Sequence, residues 1–286
     1  MIVNSADNVV VHGLTGKQGT FWAGLMREYG TNIVGGVNPK KAGTIHEGMP
    51  VFASAVEAAA DVGVDVSVLF VPPAGAKAAV IDAVDAGARL VVVLTEFIPV
   101  HDTMELVHHA RRNGSQVMGP NTAGVVTPGE AFVGFMPAFD DRIFREGSVG
   151  VVSRSGSLGT LACLELTRNG LGQSAFLGVG GDPVSGTSTA DAVAALATHP
   201  STEAIVVIGE IGGSKEEEAA KVIETIDQPV VSFIAGKSSP PGKRMGHAGA
   251  IVEGDTGTYD SKRSTLEAAG ATVVDVPGEI ADAVRG

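Results

Sequence analysis

The chain has 286 residues, which fits two domains of ordinary size, since domains usually run to roughly 100–200 residues. Hydrophobic residues make up 44% and aromatics only 5%, with 39 glycines, so the interior must be built from Val, Ala, Ile and Leu packed close to backbone, as in α/β proteins. A formal charge of −12 is a poor match to a phosphate backbone and argues against nucleic-acid binding; with no leader-like start and no run of ~18 apolar residues, the expectation is a cytoplasmic protein without a membrane span.

In the first part of the chain, β-branched runs at Asn8–His12, Asn32–Val37, Asp65–Phe70, Leu90–Leu94 and Gln116–Met118 read as strands. Between them, Lys17–Tyr29 reads as a helix with Trp22, Leu25, Met26 and Tyr29 on one side, and Ala74–Ala86 as another with Ala78, Ile81 and Val84 inward. Strand alternating with helix implies a parallel sheet with right-handed crossovers. Gly119–Gly147, rich in Gly, Pro, Phe and Asp, breaks the rhythm and reads as the passage between domains, which we place at 1–122 and 123–286. Strands then resume at Ser148–Val152, Ser174–Gly178, Ala204–Ile208, Val230–Ile234 and Thr272–Val274, with helices near Ser157–Arg168, Thr189–Thr198, Ser214–Ile226 and Ser261–Ala269. The expected fold is α/β throughout: a Rossmann-like domain followed by a flavodoxin-like parallel-sheet domain. The single cysteine, Cys163, lies in an apolar run and reads as core packing.

Gly13, Gly16 and Gly19 follow the first strand and open a helix, where small residues let backbone N–H groups approach a pyrophosphate. This is not a Walker A loop, because Lys17 is followed by Gln18 and not by Ser or Thr. Nor is it a good NAD site, because the second strand ends in Asn38-Pro39 without an acid for the ribose diol. Lys40-Lys41 follow instead, suiting a nucleotide with a phosphate on its ribose; two solvated surface lysines is the alternative. Leu94, Thr95 and Glu96 end another strand, at the edge where ligands of open sheets bind.

In the second domain, Ser153-Arg-Ser155-Gly156-Ser157 joins a strand to a helix, and its hydroxyls and free N–H groups suit an anion; Ser as a helix cap is the structural alternative. The run Gly242-Lys-Arg-Met-Gly-His247-Ala-Gly-Ala250 delivers one histidine in a glycine collar, flanked by two cations. A nucleophilic imidazole needs a carboxylate to fix its tautomer, and Glu210, at the end of another strand, is the best candidate. His101, His108 and His109 sit on a polar helix, His199 in a turn, and His12 and His46 border the nucleotide cleft. No His/Cys pair has metal-ligand spacing, so no structural metal is expected.

Over essentially its whole length the sequence resembles the succinyl-CoA synthetase alpha-subunit family. The resemblance rests on Gly13-Leu-Thr-Gly-Lys-Gln-Gly-Thr20, Val34-Gly-Gly-Val, Met118-Gly-Pro-Asn121, Ser153-Arg-Ser-Gly156, Val179-Gly-Gly-Asp-Pro183, Ile208-Gly-Glu-Ile-Gly-Gly-Ser214 and Gly242–Ala250. It implies a CoA-binding subunit that works with an ATP-grasp beta subunit, as a heterodimer or heterotetramer, the beta subunit holding ATP or GTP with Mg2+. His247 would be phosphorylated and would pass its phosphate to a carboxylic acid, and the CoA thiol would then attack the acyl phosphate. Carried over by position, Thr15, Gly16, Lys17, Gln18, Lys41, Leu94, Thr95 and Glu96 match CoA contacts. Glu210 matches the carboxylate behind the phosphohistidine, and Ser155, Gly156 and Ser157 the helix start facing the phosphate.

One departure stands at the acid substrate, where the family generally carries Tyr-Glu and this chain carries Thr160-Leu161. Succinate is therefore one expected acid, with malate or a sulfo- or sulfino-acid as the alternative. A CoA-sensing protein without turnover is another class of reading, against which His247 and Glu210 stand together; a dehydrogenase is disfavoured by Asn38-Pro39.

Overall fold

The computed structural model describes residues 1–240, 246–252 and 257–286. In the first sheet the chain runs β1 (Val9–His12), α1 (Lys17–Tyr29), β2 (Ile33–Val37), β3 (Ile45–His46), β4 (Met49–Phe52), α2 (Ala55–Val62), β5 (Val66–Leu69), α3 (Pro73–Asp85), β6 (Leu90–Val93), α4 (Val100–Arg112) and β7 (Gln116–Met118). Strand order is β3-β4-β2-β1-β5-β6-β7, parallel apart from the β3–β4 pair. Val9 to Val11 and Val66 to Val68 are wholly buried because helices cover both faces, which is why these strands read as unbroken apolar runs. The order reverses between β1 and β5, so the ligand crevice opens at their C-terminal ends, at Gly13 and Phe70.

The second sheet holds β8 (Gly124–Thr127), β9 (Ala131–Gly134), β10 (Glu146–Ser153), α5 (Gly156–Arg168), β11 (Gln173–Gly178), α6 (Thr189–Ala197), β12 (Ala204–Glu210), α7 (Lys215–Ile223), β13 (Val230–Ala235), α8 (Tyr259–Ala268), β14 (Thr272–Val274) and α9 (Ile280–Arg285). Its order is β14-β13-β12-β10-β11-β8-β9. The five parallel strands have the flavodoxin-like arrangement, and the switch point falls between β10 and β12. Ser153 and Glu210 end those two strands, so topology alone brings the serine turn and the acidic strand end to one crevice. Among the described residues no helix is long and apolar enough to cross a membrane.

Three expectations change. Gly119–Gly147 is more than a passage: β8 and β9 form an antiparallel hairpin that extends the second sheet from β11. Their four-residue strands are too short to show a period among so many Gly and Pro. The hairpin also grips the first domain, since Thr31 donates to the Phe132 carbonyl (2.8 Å) and accepts from its amide (3.0 Å). In α3 the buried positions are Ala76, Val80, Ala83 and Val84, with Ala78 exposed. A helix with alanine on every side gives no unique apolar stripe, and Val80 decides the face. The short β3, β4, α2 and α9 carried too few residues to stand out as elements.

Candidate active site

At the first crevice Gly13 adopts φ +85°, and a Cβ there would sit 2.4 Å from the Phe70 carbonyl oxygen, so only glycine turns the chain this close to β5. Gly16 caps α1 without a side-chain bond, and the first turn has no acid, leaving a helix start suited to an anion. Asn38 donates to the Thr15 hydroxyl at 2.6 Å and accepts from the Lys40 amide at 3.1 Å. The position where a ribose acid would stand in an NAD site thus braces the glycine turn. A cavity of about 440 Å³ adjoins it, walled by Gln18, Trp22, Phe70, Leu94, Thr95 and Phe135. Thr95 is held there by donating to the Val71 carbonyl at 2.8 Å. Lys41 and Glu96 are exposed and lie outside that lining.

In the second crevice, Nδ1 of His247 lies 2.7 Å from Oε2 of Glu210. Glu210 is buried, whereas the His247 side chain keeps 27% of its surface open. An ionised carboxylate accepts from Nδ1–H, which leaves the lone pair on Nε2. The hydrogen bond that His247 donates to Glu210 raises the His247 pKa; burial and Arg154 oppose this, and the Glu210 and Glu96 charges add to it. The influence of Glu96 is notable because it comes from the first domain. A backbone route joins the two crevices: Asn121 N–H donates to Thr95 O (3.0 Å), Gly181 N–H donates to Asn121 O (3.3 Å), and the His247 ring rests on Gly181.

Behind Glu210 runs a chain of alternating charges. Arg154 Nη2 stands 3.0 Å from Glu210 Oε1, and Arg154 Nη1 stands 3.1 Å from Glu216 Oε1. Lys262 Nζ then contacts Glu216 Oε2 at 2.5 Å and Glu217 Oε2 at 2.7 Å. Arg154, Glu216 and Lys262 are almost wholly inaccessible. Burial alone would push the Glu216 carboxyl up, but Arg154 and Lys262 outweigh it and hold it below the usual range. Lys215 is also largely buried, donating to the Asp182 carbonyl at 2.7 Å and to Ser185 Oγ at 3.1 Å; desolvation, with Arg154, lowers it to about 8.

The serine turn has the helix cap of the structural reading. Ser155 caps α5 by accepting from the Leu158 amide at 3.4 Å, Ser157 lies 3.3 Å from it, and the first turn again lacks an acid. Arg154, its direct neighbour in sequence, reaches Glu210 of the His247–Glu210 pair. Thr160 donates to the Gly156 carbonyl at 2.8 Å, and Leu161 beside it is partly exposed.

Sequence reasoning missed Arg154, Glu216, Lys262 and Gly181 as site residues. Arg154 carried a signal, being a charge set between a Val-rich strand and a capped helix. Glu216 and Lys262 lie in polar stretches and carried none. Gly242, Lys243, Arg244 and Met245 of the proposed histidine loop lie outside the described residues. Cys163 is fully buried, and desolvation pushes its thiol pKa up, as core packing requires.

Residues 4–97 match the CoA binding domain family and residues 152–272 the CoA-ligase family. The alpha subunit of ADP-forming succinate–CoA ligase from Methanothermobacter thermautotrophicus is 48% identical over 100% of this chain and 96% of that protein. Its counterpart from Aquifex aeolicus is 49% identical over 99% of this chain and 93% of that one. A subunit of ADP-forming sulfoacetate-CoA ligase from Bilophila wadsworthia is 42% identical over 98% and 96%. Among solved structures, ATP citrate lyase from Methanothrix soehngenii in complex with citrate and coenzyme A matches with TM-score 0.90 at 26% identity, over all of this chain and 50% of that chain. With a CoA-binding sheet followed by a CoA-ligase sheet and relatives of this similarity over its full length, the chain belongs to the alpha-subunit family of the succinate–CoA ligases.

Proposed function

We propose that this chain is the phosphoryl-carrying, CoA-binding subunit of a nucleotide-driven acid–CoA ligase, completed by an ATP-grasp beta subunit that holds ATP or GTP with Mg2+. Nε2 of His247 takes the terminal phosphoryl group, forming an N–P bond as the bond to the nucleoside diphosphate breaks. Glu210 keeps the Nδ1 proton and offsets the positive charge of the ring while the phosphoryl group is attached. A carboxylate oxygen of the acid then attacks phosphorus, His247 leaves, and an acyl phosphate results. Bound CoA supplies the thiol that displaces phosphate from the acyl carbon. Residues 1–122 would hold CoA, with Thr15, Gly16, Lys17, Gln18 and Lys41 towards its phosphates and Leu94, Thr95 and Glu96 towards the thiol. Residues 123–286 would carry the phosphoryl chemistry, with Ser155, Gly156 and Ser157 presenting a helix N-terminus to the phosphoryl oxygens.

The observation that carries this reading is the 2.7 Å contact of a part-open histidine with a buried carboxylate at a sheet switch point. The test is transfer of label from γ-labelled nucleotide in the complex with the beta subunit, comparing the native chain with His247→Asn. Acid-labile label on the native chain alone supports the assignment, and label retained by the variant overturns it.

Succinate is the first acid to try. A different carboxylate, such as malate or a sulfo- or sulfino-acid, is favoured by two observations. The Thr160 hydroxyl hydrogen is already committed to Gly156, and a relative 42% identical acts on sulfoacetate by its name. Turnover of the assembled enzyme against a panel of these acids separates the two.

A further inference from the structure

Arg154 divides one guanidinium between two buried carboxylates: Nη2 faces Glu210, which holds His247, and Nη1 faces Glu216, which Lys262 holds from the far side. Lys262 also donates to the Gly213 carbonyl at 2.9 Å, and Gly212 N–H donates to Gly257 O at 2.8 Å. The α8 end of the histidine loop and the β12 end bearing Glu210 are therefore tied to one another.

We propose that Glu216 and Lys262 are positioning residues for the phosphoryl carrier, holding Arg154 so that it partly discharges Glu210 and keeps the His247 ring available as a neutral nucleophile. The inference rests on the reading of His247 given above. The physical conflict is plain. A carboxylate against Nδ1 is needed to fix the tautomer, yet an unopposed carboxylate favours imidazolium, which has no lone pair to attack phosphorus. Glu210 and Glu96 pull the ring towards the charged form, and Arg154 pulls it back. How strongly Arg154 acts depends on where its guanidinium sits; Nη1 donates to the Glu210 and Gly212 carbonyls, both at 3.3 Å, and within that backbone hold the competing charge is that of Glu216. Lys262 occupies Oε2 of Glu216 and so weakens that competition.

Two substitutions should therefore act in opposite directions. In Lys262→Met, Glu216 loses its second cation and draws Arg154 away from Glu210, so His247 becomes more basic. In Glu216→Gln the pull on Arg154 disappears, Lys262 keeps Glu217 and Gly213, and His247 becomes less basic.

The experiment is the pH profile of His247 phosphorylation by labelled nucleotide, measured in the complex with the beta subunit. Phosphorylation of the native chain at His247 is the control for the underlying reading; its absence would count against that reading before any variant is compared. Lys262→Met should move the acid limb of the profile to higher pH by about half a unit or more, and Glu216→Gln should move it to lower pH by a similar amount. A merely structural role would lower the rate at every pH and leave the limb in place. If Lys262→Met fails to fold, the shift in Glu216→Gln decides. An unmoved limb in Glu216→Gln, or both limbs moving the same way, overturns the proposal.

Discussion

The His247 imidazole packs against Gly181: a methyl group built on that glycine would come within 2.4 Å of Cγ and 2.5 Å of Nδ1. Gly181 is thus the floor on which the ring rests while it reaches Glu210, and its amide donates to the Asn121 carbonyl at 3.3 Å.

Gly181→Ala is the direct probe. The added methyl must displace the ring or its loop, which separates Nδ1 from Glu210. Phosphorylation of His247 should fall by about tenfold to a hundredfold, by analogy with the loss of an outer partner that orients a metal-ligating side chain. CoA affinity, carried by the other sheet, should be unchanged. Phosphorylation by labelled nucleotide and CoA titration on the same preparation check both halves; equal loss of the two would mean that the change is a general fault in folding.

Glu210→Gln removes the carboxylate that raises the His247 pKa while leaving the burial that lowers it. The ring should then titrate at or below the ordinary 6.5, so the acid limb of phosphorylation moves to lower pH, with a reduced plateau because the tautomer is no longer enforced. Stability has a definite sign. A histidine with a raised folded pKa contributes stability that is fully present below about pH 6.5 and fades as pH rises through the folded value. The variant should therefore be less stable than the native chain in mild acid, with this difference shrinking above that value. Thermal unfolding across roughly pH 5.5–8.5 tests the sign, a scan that spans the ordinary value of about 6.5 and the raised folded value above it.

These outcomes follow from groups that were visible in the sequence to different degrees. The parallel strands were legible because helices bury both of their faces, leaving unbroken Val-rich runs such as Val9–Val11. His247 was legible as a lone imidazole among glycines, and Glu210 as a charge ending an apolar strand. The chain from Arg154 through Glu216 to Lys262 was not: Arg154 stands out as a charge after a Val-rich strand, but each next member lies roughly fifty to sixty residues further along the sequence, Glu216 and Lys262 each among polar neighbours. Only the β10–β12 switch point and the seating of α8 on α7 bring them together. The β8–β9 hairpin stayed hidden for a local reason, its strands being shorter than the period needed to reveal them.

Lys41→Ala tests the first crevice. Lys41 is exposed at the end of the 3-10 turn Pro39–Lys41 that follows β2, and its amide donates at 2.9 Å to the carbonyl of the Asn38 that braces Thr15. If its ammonium meets the phosphate on the ribose of CoA, its loss should weaken CoA binding by about 1–2 kcal/mol, roughly fivefold to thirtyfold. Dephospho-CoA, which lacks that phosphate, should bind the native chain and the variant alike. Phosphorylation of His247 should be untouched. Calorimetric titration with the two cofactors decides, and equal weakening of both would place Lys41 elsewhere on the ligand.

Lys215 is held in a mostly buried place at the start of α7, and its pKa is lowered to about 8 from 10.5. The folded state thus releases a proton that the unfolded chain retains between these values. Stability should rise with pH across roughly pH 8–10.5, and below that window the buried charge is a constant cost. At about 1.4 kcal/mol per pH unit the cost is on the order of 3 kcal/mol. The two hydrogen bonds, to Asp182 O and Ser185 Oγ, return about 1 kcal/mol each. Lys215→Met should therefore be more stable than the native chain by roughly 1 kcal/mol at pH 7. That advantage should disappear within the pH 8–10.5 window and reverse towards its upper end, as the native amine becomes neutral and the desolvation cost is recovered. Denaturant unfolding of both proteins at pH 7 and at pH 10 measures this directly, and a variant less stable at pH 7 would show that the two hydrogen bonds, not the desolvated charge, dominate at this position.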